Sequence, residues 1–280
     1  MTRKSNPVHP QDQQNKLDRL RSLLAGFRRV GVAFSGGVDS SFLLKISLDV
    51  LEPDKVMVLH ARSCLQKQNE QVQAASWPER HGYDPAALQW RNIALNPLAR
   101  QEFTANPPNR CYLCKRHLYI CFLNILQQED ISILLDGTNS DDLRQGETGR
   151  PGLRALAELG VRIPLVDCSL SKREIRELSR ELSLDTWAQP SSSCLATRIP
   201  HGLEITAERL AMVEKLEQIV TEAGFPGCRA RLLNGSEHAV RVQVPERDLC
   251  RLHNGAAGRT VVALLKSRGI SKIYLDADGR

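Results

Sequence analysis

The string VGVAFSGGVDSSFLL, Val30 to Leu44, constrains the fold more than any other stretch of the chain. Val30–Phe34 carries no polar residue, as a strand covered on both faces requires. Ser35-Gly36-Gly37 then turns the chain sharply. Val38-Asp39-Ser40-Ser41, with Phe42, Leu43 and Leu44 behind it, opens a helix. Glycines in such a turn let backbone N–H groups crowd against an anion at the helix N-terminus. Ser35 and Ser40 add hydroxyl donors, with Ser41 beside them, and Asp39 suits a magnesium ion better than a phosphate. The bland alternative is a plain glycine-rich turn. The complete S-G-G-x-D-S string in a strand–turn–helix context argues against it. No G-x-x-x-x-G-K-[ST] string occurs, which excludes a P-loop kinase or ATPase.

Apolar periodicity supplies the rest of the frame. Lys16–Phe27 reads as a first helix, with Leu17, Leu20, Leu23 and Leu24 on one face. Lys55–His60 and Ile131–Gly137 read as buried strands, and VRIPLVD as a shorter one. Helices are predicted near Lys67–His81 and over SKREIRELSRELSL, the second opened by the capping box Ser171-x-x-Glu174. Strands alternating with helices predict an α/β fold with a parallel sheet. After the Ser/Pro-rich QPSSSCLATRIPHG come a helix at Thr206–Ala223, strands at Arg229–Leu233 and Ala239–Val244, two helical segments and KIYLDADG. Residues 1–14 read as a disordered tail, 15–190 as a Rossmann-like domain, and 191–280 as a smaller α/β domain.

The 280 residues include no apolar run of membrane-spanning length, and the polar N-terminus has no secretory signal, so a cytoplasmic location is expected. The net charge of +6 suggests anionic ligands, but the basic residues are scattered and aromatics are few. Nucleic acid is therefore not demanded. Eight cysteines in such a chain point to metal, redox or nucleophilic roles rather than disulfides.

LLDGTNSDD places Gly137, Thr138, Asn139, Asp141 and Asp142 just beyond a strand's carboxyl end, where open α/β sheets bind ligands. Alone it would be a polar turn. Arg229 and Arg231 alternate on one strand and so share a face. They suit one anion or, more blandly, a solvated face.

FSGGVDSS resembles the PP-loop of the ATP pyrophosphatase superfamily. With NRCYLCK (Asn109–Lys115), DGTNSDDLRQGETGRPGLRALAELGVRIPL (Asp136–Leu165) and PSSSCLATRIPHG (Pro190–Gly202), the chain resembles the LarE family of sulfur transferases over nearly its whole length. The resemblance implies an adenine nucleotide alpha hydrolase-like domain over 15–190 and a sulfur-transfer and substrate domain over 191–280. It implies ATP and Mg2+, with Ser35, Gly36, Gly37, Asp39, Ser40, Ser41, Ser63, Gly137, Asn139 and Asp142 at the nucleotide. It further implies adenylation of a carboxylate on a pyridinium mononucleotide, pyrophosphate release, and attack by sulfur to give a thiocarboxylate used in nickel-pincer cofactor synthesis. Cys194 matches the family's sulfur-donating cysteine. Arg198 is a candidate to favour its thiolate or, with Arg229 and Arg231, to hold substrate phosphate. Glu217 and Asp248 fall where the family keeps acidic groups. A homo-oligomer, hexameric in the family, is also implied.

The cysteines leave the sulfur source open. Members that sacrifice the donor cysteine carry an aromatic residue where this chain has Cys111. Cys111, Cys114 and Cys194 together suit a 4Fe–4S cluster with one open iron, which would donate bound sulfide from a source the sequence does not identify. The alternatives are a sacrificial Cys194, or zinc or inert cysteines. A tRNA thiolase and a non-catalytic ATP-binding module are the rival functions.

Overall fold

The computed structural model describes residues 10–144, 151–233 and 236–279. They fold into two compact units. One comprises the described residues of Met1–Arg62, Asn69–Leu95 and Cys111–Gln189; the other comprises those of Ser63–Gln68, Asn96–Arg110 and Pro190–Arg280.

In the first unit the described residues form a four-stranded sheet in the order β3-β2-β1-β4, all parallel. The strands are β1 (Val30–Phe34), β2 (Val56–Arg62), β3 (Gln89–Ala94) and β4 (Leu134–Leu135). Both faces are covered. Val30, Val32 and Phe34 of β1, with Val56 and Val58 of β2, pack under the Pro10–Ala25 and Val38–Leu51 helices through Leu17, Leu20, Leu24, Phe42 and Ile46. Ala33, Met57 and Leu59 face the other way, onto Tyr119, Phe122 and Leu126 of the Arg110–Gln128 helix. Alternation of side chains along each strand thus feeds two separate apolar layers. The chain runs from β1 out to β3, then returns to the other side of β1 as β4. The crevice beyond the carboxyl ends of β1 and β4 is the switch point at which such sheets take ligands.

The second unit has a sheet in the order β5-β6-β7, with β5 (Arg229–Leu233) antiparallel to β6 (Ser236–Gln243) and β7 (Lys272–Leu275) parallel to it. Ala230, Leu232, Val240 and Val242 are buried, as are Leu210, Val213, Leu216 and Val220 of the Ala207–Glu222 helix. Thr206 caps that helix, accepting from Arg209 N at 3.3 Å.

Several elements differ from the sequence reading. The first helix begins at Pro10 rather than Lys16, so only residues 1–9 of the expected tail lie outside the described residues. Proline is preorganised for a first helical turn, and Gln13 is buried with Nε2 donating to Glu174 O at 3.2 Å. The helix expected near Lys67–His81 divides into Gln68–Ala75 and Trp77–Arg80. VRIPLVD is not a strand. Arg162 makes one isolated bridge to Leu135, and Pro164, with no N–H and a fixed φ, starts the helical turn Pro164–Asp167. β3 and the Arg110–Gln128 helix were not anticipated; β3 is a half-exposed edge strand without an apolar run. Among the described residues no helix is long and apolar enough to cross a membrane.

Candidate active site

The Ser35–Ser41 segment sits at the switch point of the first unit. Gly36 has φ +77°, and an added Cβ there would lie 2.7 Å from the Ala74 Cβ, so both conformation and space require glycine. Ser40 Oγ accepts from Ser35 N at 3.2 Å, donates to Gly37 O at 3.1 Å and lies 3.0 Å from Ser35 Oγ. The two hydroxyls brace the turn from within. Ser41 is buried behind them.

Gly137 meets this loop from β4. A Cβ on Gly137 would stand 2.9 Å from Ser40 N and 3.1 Å from Asp39 C, so the two backbones are in direct contact. Asn139 is buried; its Oδ1 accepts from Asp141 N at 3.0 Å and Asp142 N at 3.3 Å, shaping the turn that follows.

Asp39 is the charged centre of this region. Its Oδ2 pairs with Lys172 Nζ, while its Oδ1 is buried with no hydrogen-bond partner. Burial raises the Asp39 carboxyl above the ordinary range and the nearby Asp142 charge adds to that, against the pull of Lys172. Two neighbouring carboxylates, one with an unmatched oxygen, fit a magnesium ion that takes its other ligands from phosphate and water.

Lys172 escaped the sequence reading. It is the first residue of the Lys172–Glu181 helix, directly after the Ser171 cap, and its backbone N donates to Asp141 Oδ2 at 2.8 Å. A cation at a helix N-terminus opposes the macrodipole, so its position beside a capping box was the available signal. The loop without a lysine has one supplied from far along the chain.

The second unit holds the other motif residues. Cys194 is half-buried and caps the short turn Leu195–Arg198, its carbonyl accepting from Thr197 N at 3.0 Å and Thr197 Oγ1 at 2.8 Å. Arg198 is 2% exposed. Its Nε donates to Glu217 Oε1 at 2.6 Å, and its Nη1 to Ser193 Oγ at 2.6 Å and Thr197 Oγ1 at 2.7 Å. A guanidinium so engaged orders the Cys194 turn rather than reaching outward. Glu217 also accepts from Ala230 N at 3.0 Å and pairs with Lys67 Nζ at 2.6 Å. Burial pushes its carboxyl up, but Arg198 and Lys67 outweigh this and hold it below the ordinary range.

Arg229 and Arg231 lie on the half-exposed face of β5, opposite buried Ala230 and Leu232. Arg231 donates to Thr197 O and Gln243 Oε1, each at 2.8 Å. Burial lowers its guanidinium, and Arg198, Arg110 and Arg241 add to the effect, so this side of the unit concentrates positive charge. Asp248 pairs instead with Arg251 Nη2 at 3.1 Å. Ser63 opens the 63–68 segment, its Oγ accepting from Leu65 N at 3.3 Å.

Cys111 stands on the first turn of the Arg110–Gln128 helix and Cys114 at the start of the second; Cys111 is exposed. None of the eight cysteines forms a disulfide. Among the described residues no group of three His, Cys, Asp or Glu is arranged to hold a metal ion. Cys228 and Cys168 are buried, and burial pushes the Cys228 thiol up to about 11, as a packing cysteine should behave.

Sheet order, glycine loop and polar crevice define the first unit as a Rossmann-like α/β protein with an anion-ready loop at its switch point. No family model matches the chain. Over 262 residues, 93% of this chain and 90% of the relative, it is 32% identical to the pyridinium-3,5-bisthiocarboxylic acid mononucleotide synthase of Lactiplantibacillus plantarum. It is also 32% identical over 272 residues, 95% of each chain, to an uncharacterized protein of Synechocystis sp., and 28% identical over 251 residues, 90% of each chain, to one of Methanocaldococcus jannaschii. The chain belongs to the LarE family of sulfur-transferring enzymes.

Proposed function

We propose that the protein is an ATP-dependent sulfur transferase acting on a pyridinium biscarboxylate mononucleotide. The observation that carries this reading is the intact Ser35–Ser41 loop at the switch point of a chain related over 93% of its length to a synthase of the bisthiocarboxylic product. A substrate carboxylate oxygen attacks the α-phosphorus of ATP, and pyrophosphate departs into the loop. Asp39 and Asp142 would hold a magnesium ion, which would neutralise phosphate charge, and Lys172, paired with Asp39 in this structure, supplies a further cation for the phosphates. The acyl adenylate then has a leaving group worth attacking, which a free carboxylate lacks. A sulfur nucleophile then attacks the acyl carbon and expels AMP, which retains the carboxylate oxygen. Arg229 and Arg231 hold the substrate's phosphate, and Arg198 keeps the Cys194 turn in place.

The sulfur source is read as a 4Fe–4S cluster on Cys111, Cys114 and Cys194, supported by three thiols outside any disulfide and by cysteine at position 111. Bound there, it would supply a replaceable sulfide on its open iron. In the alternative, the Cys194 thiolate itself displaces AMP to form a thioester, and loss of the Cys194 α-proton then breaks its Cβ–S bond, leaving thiocarboxylate and dehydroalanine.

The test is anaerobic purification, iron and sulfide analysis, then incubation with ATP, Mg2+ and pyridinium-3,5-biscarboxylic acid mononucleotide. Equal pyrophosphate and AMP, with an oxygen-to-sulfur mass change in the substrate, are expected. Iron-free protein in which Cys194 loses the elements of hydrogen sulfide selects the sacrificial route. No pyrophosphate with this substrate, alongside thiolation of tRNA, rejects the proposed substrate.

A further inference from the structure

Asp136 lies between β4 and Gly137 and is buried, yet it carries a carboxylate that the chemistry above does not use. Its hydrogen bonds run in two directions. Oδ1 accepts from Thr138 N at 2.7 Å and from Thr138 Oγ1, fixing the turn that holds Gly137. Oδ2 accepts from the Tyr119 hydroxyl and lies 3.9 Å from Lys115 Nζ. Lys115 Nζ in turn sits 5.6 Å from the Tyr119 ring centroid. Burial pushes the Asp136 carboxyl up, but Lys115, Thr138 and Tyr119 together hold it below the ordinary range, so it is ionised at neutral pH.

These partners define a path. Cys111, Lys115 and Tyr119 recur every four residues along the Arg110–Gln128 helix, so they follow one ridge of it. At the other end, Gly137 touches the backbone of Ser40 and Asp39. Asp136 is therefore the joint between the helix that begins with the cysteine pair and the turn that supports the anion loop. Gly152, of the R-P-G string, belongs to the same assembly. A Cβ on it would lie 2.9 Å from Lys115 Cδ, so glycine there leaves the room that aims the lysine at Asp136.

We propose that Asp136 is a positioning residue that, through Lys115 and Tyr119, fastens the Cys111–Cys114 helix to the Gly137–Asn139 turn and so sets the anion loop for the nucleotide. The proposal rests on the reading of that loop as the ATP site. Removing the charge at Asp136 frees Lys115 and Tyr119 at one end and slackens the turn at the other. A joint of this kind loosens both ends together, whereas a merely satisfied core carboxylate loosens only its own surroundings.

The first measurement needs no nucleotide. Hydrogen exchange on full-length Asp136→Asn protein should quicken at least tenfold in peptides spanning 137–140 and in the first two turns of the Arg110–Gln128 helix, with the Ala207–Glu222 helix unchanged. The second is steady-state pyrophosphate release. Asp136→Asn should raise KM for ATP about tenfold with kcat within about twofold of wild type, the signature of a ground-state site out of shape. Lys115→Met added to Asp136→Asn should cost less than twofold more, because the two act through one link. Gly152→Ala, which changes no charge, should raise KM about two- to threefold by displacing Lys115. Faster exchange in 137–140 alone, uniformly faster exchange, or an unchanged KM in folded Asp136→Asn protein would each overturn the joint. If wild type releases no pyrophosphate, the ATP reading fails, and the exchange pattern alone decides whether Asp136 couples helix to turn.

Discussion

Arg198 and Glu217 face each other almost wholly out of water, Nε to Oε1 at 2.6 Å, at the foot of the turn that Cys194 opens. Removing one partner leaves the other charge buried, a loss of about 3–5 kcal/mol in comparable pairs. Arg198→Met should therefore lower the urea midpoint steeply. Arg198→Lys should recover little, since an ammonium cannot span Glu217, Ser193 and Thr197 at once. A wild-type midpoint for Arg198→Met would contradict this placement.

The same pair sets a pH dependence. Glu217 titrates below its ordinary 4.5 in the folded protein, although burial alone would raise it. A carboxyl with a depressed folded value adds stability above its unfolded value and loses it as pH falls through the folded one. The Tm advantage of wild type over Glu217→Gln should thus be full at neutral pH and shrink as pH falls below 4.5. A difference that is constant across that window would refute the assignment.

Lys172 and Asp39 make the corresponding pair in the first unit. On the proposed function, a magnesium ion held by Asp39 would leave the Lys172 ammonium to the phosphate oxygens of ATP. Charge-assisted hydrogen bonds of this sort contribute about 1.5–3 kcal/mol. Lys172→Ala is expected to raise KM for ATP about tenfold to a hundredfold, with KM for the pyridinium substrate nearly unchanged. Pyrophosphate-release kinetics with each substrate varied in turn will check it.

The framework was legible where burial is uniform. β1 and the Val56–Leu59 part of β2 are unbroken apolar runs, and the glycine loop announces its own turn. β3 was not, because half-exposure erases an apolar run. The apolar ILL preceding Asp136 pairs over only Leu134–Leu135. Membership of 96–110 in the second unit was hidden because it depends on contacts nearly a hundred residues apart, such as Asn106 Nδ2 to Pro200 O at 2.8 Å and to Leu203 O at 2.7 Å. At the site, residue types were readable and burial was not. By residue type Arg198 suits a thiolate or a substrate phosphate, and nothing in the sequence shows that its donors go to Glu217, Ser193 and Thr197. The cation beside the capping box marks Lys172 as unusual, but nothing local links position 172 to position 39.

Asp39 should show the stability cost of a buried carboxylate oxygen left unmatched. Its folded carboxyl is raised, mainly by burial, so the native state holds that proton more tightly than the unfolded chain does. Stability from this group is accordingly lost as pH rises from its ordinary 3.8 through the raised folded value, and the ionised form is a burden at neutral pH. Asp39→Asn should raise Tm, by about 2–4 °C for each kcal/mol relieved, while pyrophosphate release collapses. A lower Tm in calorimetry would count against an unmatched buried charge.

On the proposed function, Cys194 separates activation from transfer: the glycine loop, Asp39 and Lys172 would act on ATP, and the thiol only once an acyl adenylate exists. A serine hydroxyl has almost the same shape but is a far weaker nucleophile at neutral pH. In a single turnover Cys194→Ser should therefore still release pyrophosphate from ATP and the pyridinium biscarboxylate. Mass spectrometry should find the acyl adenylate or its hydrolysis products and no thiocarboxylate. Loss of both pyrophosphate and thiocarboxylate in folded Cys194→Ser protein would mean that the thiol is needed for activation itself, and the division of labour between loop and cysteine would fall.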